Sequence, residues 1–133
     1  MPDRSAKLRH FFARYVAAVG KARDPRIEQA FATVTREPFV GPGPWSIYSL
    51  GAGGYLQTPD DDPAFIYQDT LIALDTARGI HIGQPSAHAC WLEGLALREG
   101  ETVLQVGAGV RYYTALLAHL VGPSGRARAR TGR

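Results

Sequence analysis

The segment from Thr102 to Tyr113 constrains the fold of this 133-residue chain more than any other. Thr102-Val103-Leu104-Gln105-Val106 is an apolar, β-branched run that enters the turn Gly107-Ala108-Gly109, and a helical pattern begins directly afterwards. Strand, Gly-x-Gly turn and helix in that order form the first unit of a Rossmann-type nucleotide site. The glycines let backbone approach a ligand beside a helix N-terminus. The turn alone is a weak signal, since ordinary strand-to-helix turns also carry short glycine runs. The flanking strand and helix strengthen it. Leu116, Leu117, Leu120 and Val121 give the helix an inward face, and Gly122-Pro123-Ser124-Gly125 ends it. A complete doubly wound sheet needs several further strands, so the sheet is expected to be incomplete.

Upstream, Leu8, Phe11, Phe12, Tyr15, Val16 and Val19 recur at helical spacing and predict one buried face of an amphipathic helix closed by Gly20. Asp24-Pro25 supplies an N-cap and first-turn proline for a second helix, with Ile27, Ala30, Phe31 and Val34 inward and Pro38 as its stop. Residues 41–63 read as a long, irregular, packed loop, rich in Gly and Pro and interrupted by Trp45, Tyr48 and Tyr55. Its Asp60-Asp61-Asp62 run predicts turn and helix-cap chemistry, because adjacent carboxylates diverge and no further ligands sit at calcium-loop spacing. Thr70–Leu74 predicts a short strand and Ile80–Pro85 an extended piece entering a loop. A third helix from Pro85 places His88, Trp91, Leu92 and Leu95 on one face, with Cys90 as a small core residue.

Charge locates the chain among function classes. Four of the fifteen basic residues fall in the last eight positions, leaving eleven against twelve acidic residues in the body. A body of net charge −1 has no footprint for specific nucleic-acid binding. Residues 126–133 read as an Arg-rich, disordered tail behind a single domain spanning 1–125. No apolar run approaches the ~20 residues of a membrane span. A lone cysteine forms no internal disulfide and fits a reducing, cytoplasmic setting. His10 and His119 are too scattered for a metal site.

Arg36-Glu37-Pro38-Phe39-Val40, Gly83-Gln84-Pro85, Leu95 to Gly100 and Val103 to Gly109 occur together in one order and spacing. In that combination the chain resembles the protein-L-isoaspartate O-methyltransferase family from about residue 8 to 125. The resemblance implies an α/β chain, the N-terminal part of a Rossmann-like class I methyltransferase fold with N-terminal helices. It implies S-adenosylmethionine as cofactor, and damaged protein bearing isoaspartyl residues as substrate, methylated on the carboxylate. A carboxylate is already a competent nucleophile, so such an enzyme mainly positions it in line with the methyl group. The cofactor-binding positions carried over are Ile82, His88, Gln105, Gly107, Ala108, Gly109 and Tyr112. Gly83 takes the position of the family's active-loop serine, without its hydroxyl. Read as residues alone, His88 is equally a packed helix-face histidine, His81 a plain loop residue, and Tyr112, Tyr113 and Trp91 packing groups.

Other positions depart from the family pattern. Gln105 replaces the acid ending the first strand, and Arg111 the third glycine of the turn. An apolar strand ending in Glu would follow Gly125, where this chain reads Arg126-Ala127-Arg128-Ala129-Arg130. Such Arg/Ala monotony is what out-of-frame reading of GC-rich DNA produces. The expectation is a truncated relative whose exposed sheet edges lead it to self-associate; remaining family motifs in a downstream frame would bear out the truncation, and their absence would remove it. The alternatives are a methyltransferase with another acceptor and a non-catalytic relic or interaction fragment.

Overall fold

The computed structural model describes residues 3–131. Five helices, α1 (Arg4–Val19), α2 (Pro25–Thr33), α3 (Glu37–Val40), α4 (Pro85–Leu95) and α5 (Tyr112–Val121), share one core with six short strands. Strands β1 (Ser46–Ser49), β2 (Gly54–Gln57), β3 (Ile72–Asp75) and β4 (Ile80–Ile82) form an antiparallel sheet in the order β2-β1-β3-β4. Strands β5 (Thr102–Val106) and β6 (Arg126–Arg130) form a separate parallel pair joined through α5. The architecture is α/β with an incomplete parallel sheet, as expected.

The helix starts follow local chemistry. Asp24 accepts from the Arg26 backbone N–H at 2.9 Å and pairs with the Arg26 guanidinium at 2.7 Å, which caps α2 ahead of Pro25. Glu93 of α4 accepts from the Arg23 and Asp24 N–H groups, at 2.8 and 2.9 Å, and so ties the α2 entry to α4. No side chain of its own caps α4. Asp69 reaches in from a distant loop and accepts from the Ser86 N–H at 2.9 Å. Pro38 does not stop α2, which ends at Thr33; it sits in the first turn of α3.

The inward face of α1 is rotated from the expected one. Phe12, Ala13, Val16 and Ala17 are buried, whereas Phe11, Tyr15 and Val19 are exposed. Ala13 and Ala17 are small, so the neighbouring helices approach along that stripe. The larger side chains turn outward. Gly20 continues the close approach: a β-carbon there would stand 2.5 Å from the Ser86 carbonyl oxygen.

The 41–63 segment is packed, as its aromatic residues indicate, but it contains the β1–β2 hairpin. Glycines dominate its turn and obscure the period-2 signal. Trp45 is buried, donates from Nε1 to the Gly41 carbonyl at 3.0 Å, and its own N–H bonds Thr58 Oγ1 at 2.9 Å. The aspartates act as turn groups: Asp60 accepts from the Asp62 N–H at 2.9 Å, and Asp62 from the Ala64 N–H at 2.8 Å.

Residues 126–130 correct the reading of a disordered tail: they are β6, paired in register with β5 from Thr102↔Arg126 to Val106↔Arg130. The Arg/Ala alternation is a strand pattern of period 2. Ala127 and Ala129 lie on the half-covered side, and the arginines lie outside. Gly125 permits the entry, since a β-carbon there would stand 2.6 Å from the Glu101 and Val121 carbonyl oxygens. Gly132 and Arg133 lie outside the described residues. One edge of β5 is therefore covered, and the other is open.

Cys90 and Trp91 also depart from expectation: both are exposed, Trp91 to 62%. Ser86, Ala89 and Leu92 make the buried stripe of α4, so Trp91 and Leu95 turn toward the open side of β5. No helix among the described residues is long and apolar enough to cross a membrane.

Candidate functional site

The turn after β5 is built as its sequence suggests. Gly107 and Gly109 hold φ of +76° and +54°, a region open to glycine at little cost, and β-carbons there would meet nothing within 4 Å. The turn thus has an open flank beside the N-terminus of α5, whose first N–H groups lack intrahelical partners by geometry. The Gly107 and Ala108 N–H groups are engaged by the Arg130 carbonyl, at 2.7 and 3.1 Å, which binds the turn to β6. Arg111 occupies the N-cap of α5 at φ +72°, in the left-handed region, where a β-carbon is strained.

The second part of the site lies where β4 runs into α4. The Tyr113 hydroxyl donates to the Gly83 carbonyl, and the His88 ring stacks on the Tyr113 ring with centroids 3.5 Å apart and planes 8° from parallel. His88 Nδ1 lies 3.1 Å from the Gln84 carbonyl. A carbonyl only accepts, so Nδ1 carries the proton and Nε2 of the neutral ring is left as an acceptor. Burial holds the His88 imidazole below its usual range, the Gln84 hydrogen bond pulling the other way. A β-carbon on Gly83 would stand 2.4 Å from His88 Cε1.

His88 and Gln105 line one groove of about 290 Å³, with Val106 and Tyr113, next to the glycine turn. Gln105 accepts from the Thr114 hydroxyl at 2.6 Å, which fixes its amide against α5. The structure thereby gathers Gly83, His88, Gln105 and the start of the glycine turn on one side of the molecule. Ile82 is buried in the core beneath them, and Ala108 is buried within the turn.

Tyr112 is not in that gathering. Its side chain is 1% exposed and packs against Phe39 and the Arg36 guanidinium, 5.6 and 4.8 Å from its ring. Only its backbone faces the turn. Arg36 is itself fully buried between Phe12 and Tyr112, and its guanidinium nitrogens have no hydrogen-bond partner among the described residues. The two aromatic faces stand in for one. Nearby, the Tyr67 hydroxyl bonds the Arg36 N–H at 3.1 Å and donates to Glu37, so the Arg36–Val40 segment is a structural clamp.

A model of the protein-L-isoaspartate(D-aspartate) O-methyltransferase family matches residues 12–129. The chain belongs to that family. A protein-L-isoaspartate O-methyltransferase 2 from Anaeromyxobacter sp. (strain Fw109-5) is 41% identical over 100 residues, covering 75% of this chain and 33% of the relative. The protein-L-isoaspartate O-methyltransferase of Ignicoccus hospitalis is 31% identical over 112 residues, covering 84% and 44%. A third, protein-L-isoaspartate O-methyltransferase 1 from Rhodopseudomonas palustris, is 32% identical over 118 residues, covering 89% and 40%. The chain thus spans well under half the length of these isoaspartyl methyltransferases.

Thr114 and Asp69 take part in this arrangement without having been singled out as site residues in the sequence, and Tyr113, expected as a packing group, both stacks on His88 and bonds Gly83. Tyr112 and Tyr113 are adjacent aromatic residues at a helix start. Only the rotation of α5 against its neighbours decides which one reaches Gly83. Asp69 acts across 17 residues of chain, where no local pattern marks it.

Proposed function

We infer that this chain carries the glycine-turn half of an S-adenosylmethionine site, in a methyltransferase whose acceptor is the carboxylate of an isoaspartyl residue in damaged protein. The observation that carries this reading is the β5–Gly107-Ala108-Gly109–α5 unit, with its open flank, placed beside Gly83 and His88 in a member of this family. S-Adenosylmethionine supplies an electrophilic methyl group when bound. The residues present fit its approach to backbone, since no side chain fills the space over Gly107 and Gly109. They do not supply a carboxylate at the end of the neighbouring strand, where Rossmann sites hold ribose hydroxyls: β6 ends in Arg130.

The chemistry asks little of acid and base groups, because the acceptor carboxylate is already ionised at neutral pH. What this chain contributes is position. Gly83 offers backbone at the head of α4, and neutral His88 offers Nε2 as a hydrogen-bond acceptor beside it.

Transfer of radiolabelled methyl to a synthetic isoaspartyl peptide, against the same peptide with a normal aspartyl linkage, tests the reading. Label in the isoaspartyl peptide alone is the expected result. Equal labelling of both peptides, or label only in some other acceptor, would remove the assigned acceptor. A second reading, that this chain binds cofactor without transferring methyl, is favoured by Arg130 standing where the acid is expected. Cofactor binding without any transfer distinguishes it.

A further inference from the structure

The loop Gly83-Gln84-Pro85-Ser86 is tied at three points, each to a different part of the fold. The Gln84 carbonyl accepts from the His88 N–H at 3.2 Å and from its ring Nδ1, both on α4. The Ser86 N–H donates to Asp69, on the chain ahead of β3. The Gly83 carbonyl accepts from the Tyr113 hydroxyl, which belongs to the first turn of α5. β4 and β5 lie in separate sheets, so no strand pairing connects the two regions. Among the described residues, the Tyr113–Gly83 bond is the one hydrogen bond joining residues 80–95 to the β5–turn–α5 unit.

The α5 end of this bond is fixed. Leu116, Leu117, Leu120 and Val121 bury the helix in the core, and the Gly107 and Ala108 N–H groups hold the turn ahead of it on the Arg130 carbonyl. Tyr113 is 7% exposed, with the His88 ring lying flat on it, so its ring has one direction to point. Burial pushes the phenol above its ordinary range, and the hydroxyl stays a donor.

We propose that Tyr113 is a positioning residue for methyl transfer, setting the distance from the glycine turn, on the donor side, to the Gly83 loop, on the acceptor side. This rests on the methyl-transfer reading above. In-line transfer depends on how closely two bound molecules are held, and a misplacement of about 1 Å can cost ~100-fold in rate. Gly83 has no side chain with which to anchor its own loop. The Asp69 and Gln84–His88 bonds hold the loop to the chain before β3 and to α4, and neither bond reaches the donor side. Tyr113 does, because its backbone continues from the turn and its hydroxyl ends on the loop. Phenylalanine in its place would keep the stack on His88 and lose the grip on the carbonyl. One oxygen atom therefore separates the packing role from the positioning role.

Tyr113→Phe in the full chain tests it by two readouts. NMR relaxation of backbone amides reports the loop directly: order parameters at Gly83 and Gln84 should fall from about 0.85 toward about 0.6, with those of α5 unchanged. Tyr112→Phe removes a buried hydroxyl that has no partner among the described residues, and it should leave the loop as it is. In transfer of radiolabelled methyl to the isoaspartyl peptide, Tyr113→Phe should lower kcat about tenfold. KM for S-adenosylmethionine should stay within about twofold, since the bonds of the glycine turn are untouched. The kcat ratio should persist well below the melting temperature, where a loss of stability alone would no longer show. Loop order equal to the wild type overturns the proposal. So does a loosening of the whole chain, or a loosened loop with kcat unchanged. Absence of transfer from the wild-type chain counts against the methyl-transfer reading instead, and the relaxation data then decide whether Tyr113 holds the loop.

Discussion

A β-carbon added to Gly83 would stand 2.4 Å from Cε1 of His88, so the histidine ring occupies the space a serine side chain needs at that position. The ring is held there from two sides, by the stack on Tyr113 and by the bond from Nδ1 to the Gln84 carbonyl. Glycine at 83 and histidine at 88 are one arrangement, and neither is independent of the other.

Restoring the hydroxyl therefore has a structural cost. Gly83→Ser alone is expected to destabilise the chain by about 1–3 kcal/mol through overpacking. Combined with His88→Ala, most of that penalty should disappear, leaving a coupling of about 1 kcal/mol or more in a double-mutant cycle. Urea denaturation of the four proteins measures it. Additive effects would show that the ring moves aside freely.

Arg111 holds φ +72° at the N-cap of α5, a conformation that costs a residue with a β-carbon about 1–2 kcal/mol. Arg111→Gly should relieve it, net of the extra unfolded-state freedom of glycine, for a gain of about 0.5–1 kcal/mol. Arg111→Ala should bring no such gain. A melting temperature unchanged by glycine would contradict the strain.

His88 sets a pH dependence. Burial, the larger influence, lowers its folded-state pKa despite the opposing Gln84 hydrogen bond. The unfolded chain then binds the proton more readily than the folded one. Its contribution is complete above the unfolded value of about 6.5 and is lost as pH falls below it toward the folded pKa. His88→Gln should flatten the part of the stability profile that falls away below the unfolded value of about 6.5. A profile that the substitution leaves unaltered would show the imidazole titrating freely.

Asp69 caps α4 from outside the helix, accepting from the Ser86 N–H at 2.9 Å. Asp69→Ala should cost about 1 kcal/mol, the usual loss of a helix cap, and should loosen the start of α4 beside Gly83. Faster amide exchange at Ser86 and its neighbours checks this. Uniform acceleration across the chain would point to a global effect instead.

What the sequence made visible is what local chemistry determines. The Asp24-Pro25 cap, the β5 run, the glycine turn and the inward leucines of α5 all appear where their residues place them. The inward face of α1 was misplaced because periodicity marks an apolar stripe without saying which neighbour reaches it, and Ala13 and Ala17 set that contact. β6 was hidden by its arginines, whose charge suggested a solvated tail while their alternation fitted a strand. At the site, the family motif located Gly83, His88 and Gln105. It did not show that His88 fills the serine's space, that Tyr113 and not Tyr112 reaches Gly83, or that Thr114 fixes Gln105. Those are contacts between elements, and no spacing within one element encodes them.

The central claim, that the β5–α5 turn approaches S-adenosylmethionine through its backbone, is tested most directly by calorimetric titration of the full chain with that molecule. Saturable one-to-one binding is expected, abolished by Gly109→Val while α5 and the core stay folded by circular dichroism. No heat of binding from the folded chain, or binding that Gly109→Val leaves unchanged, would contradict it.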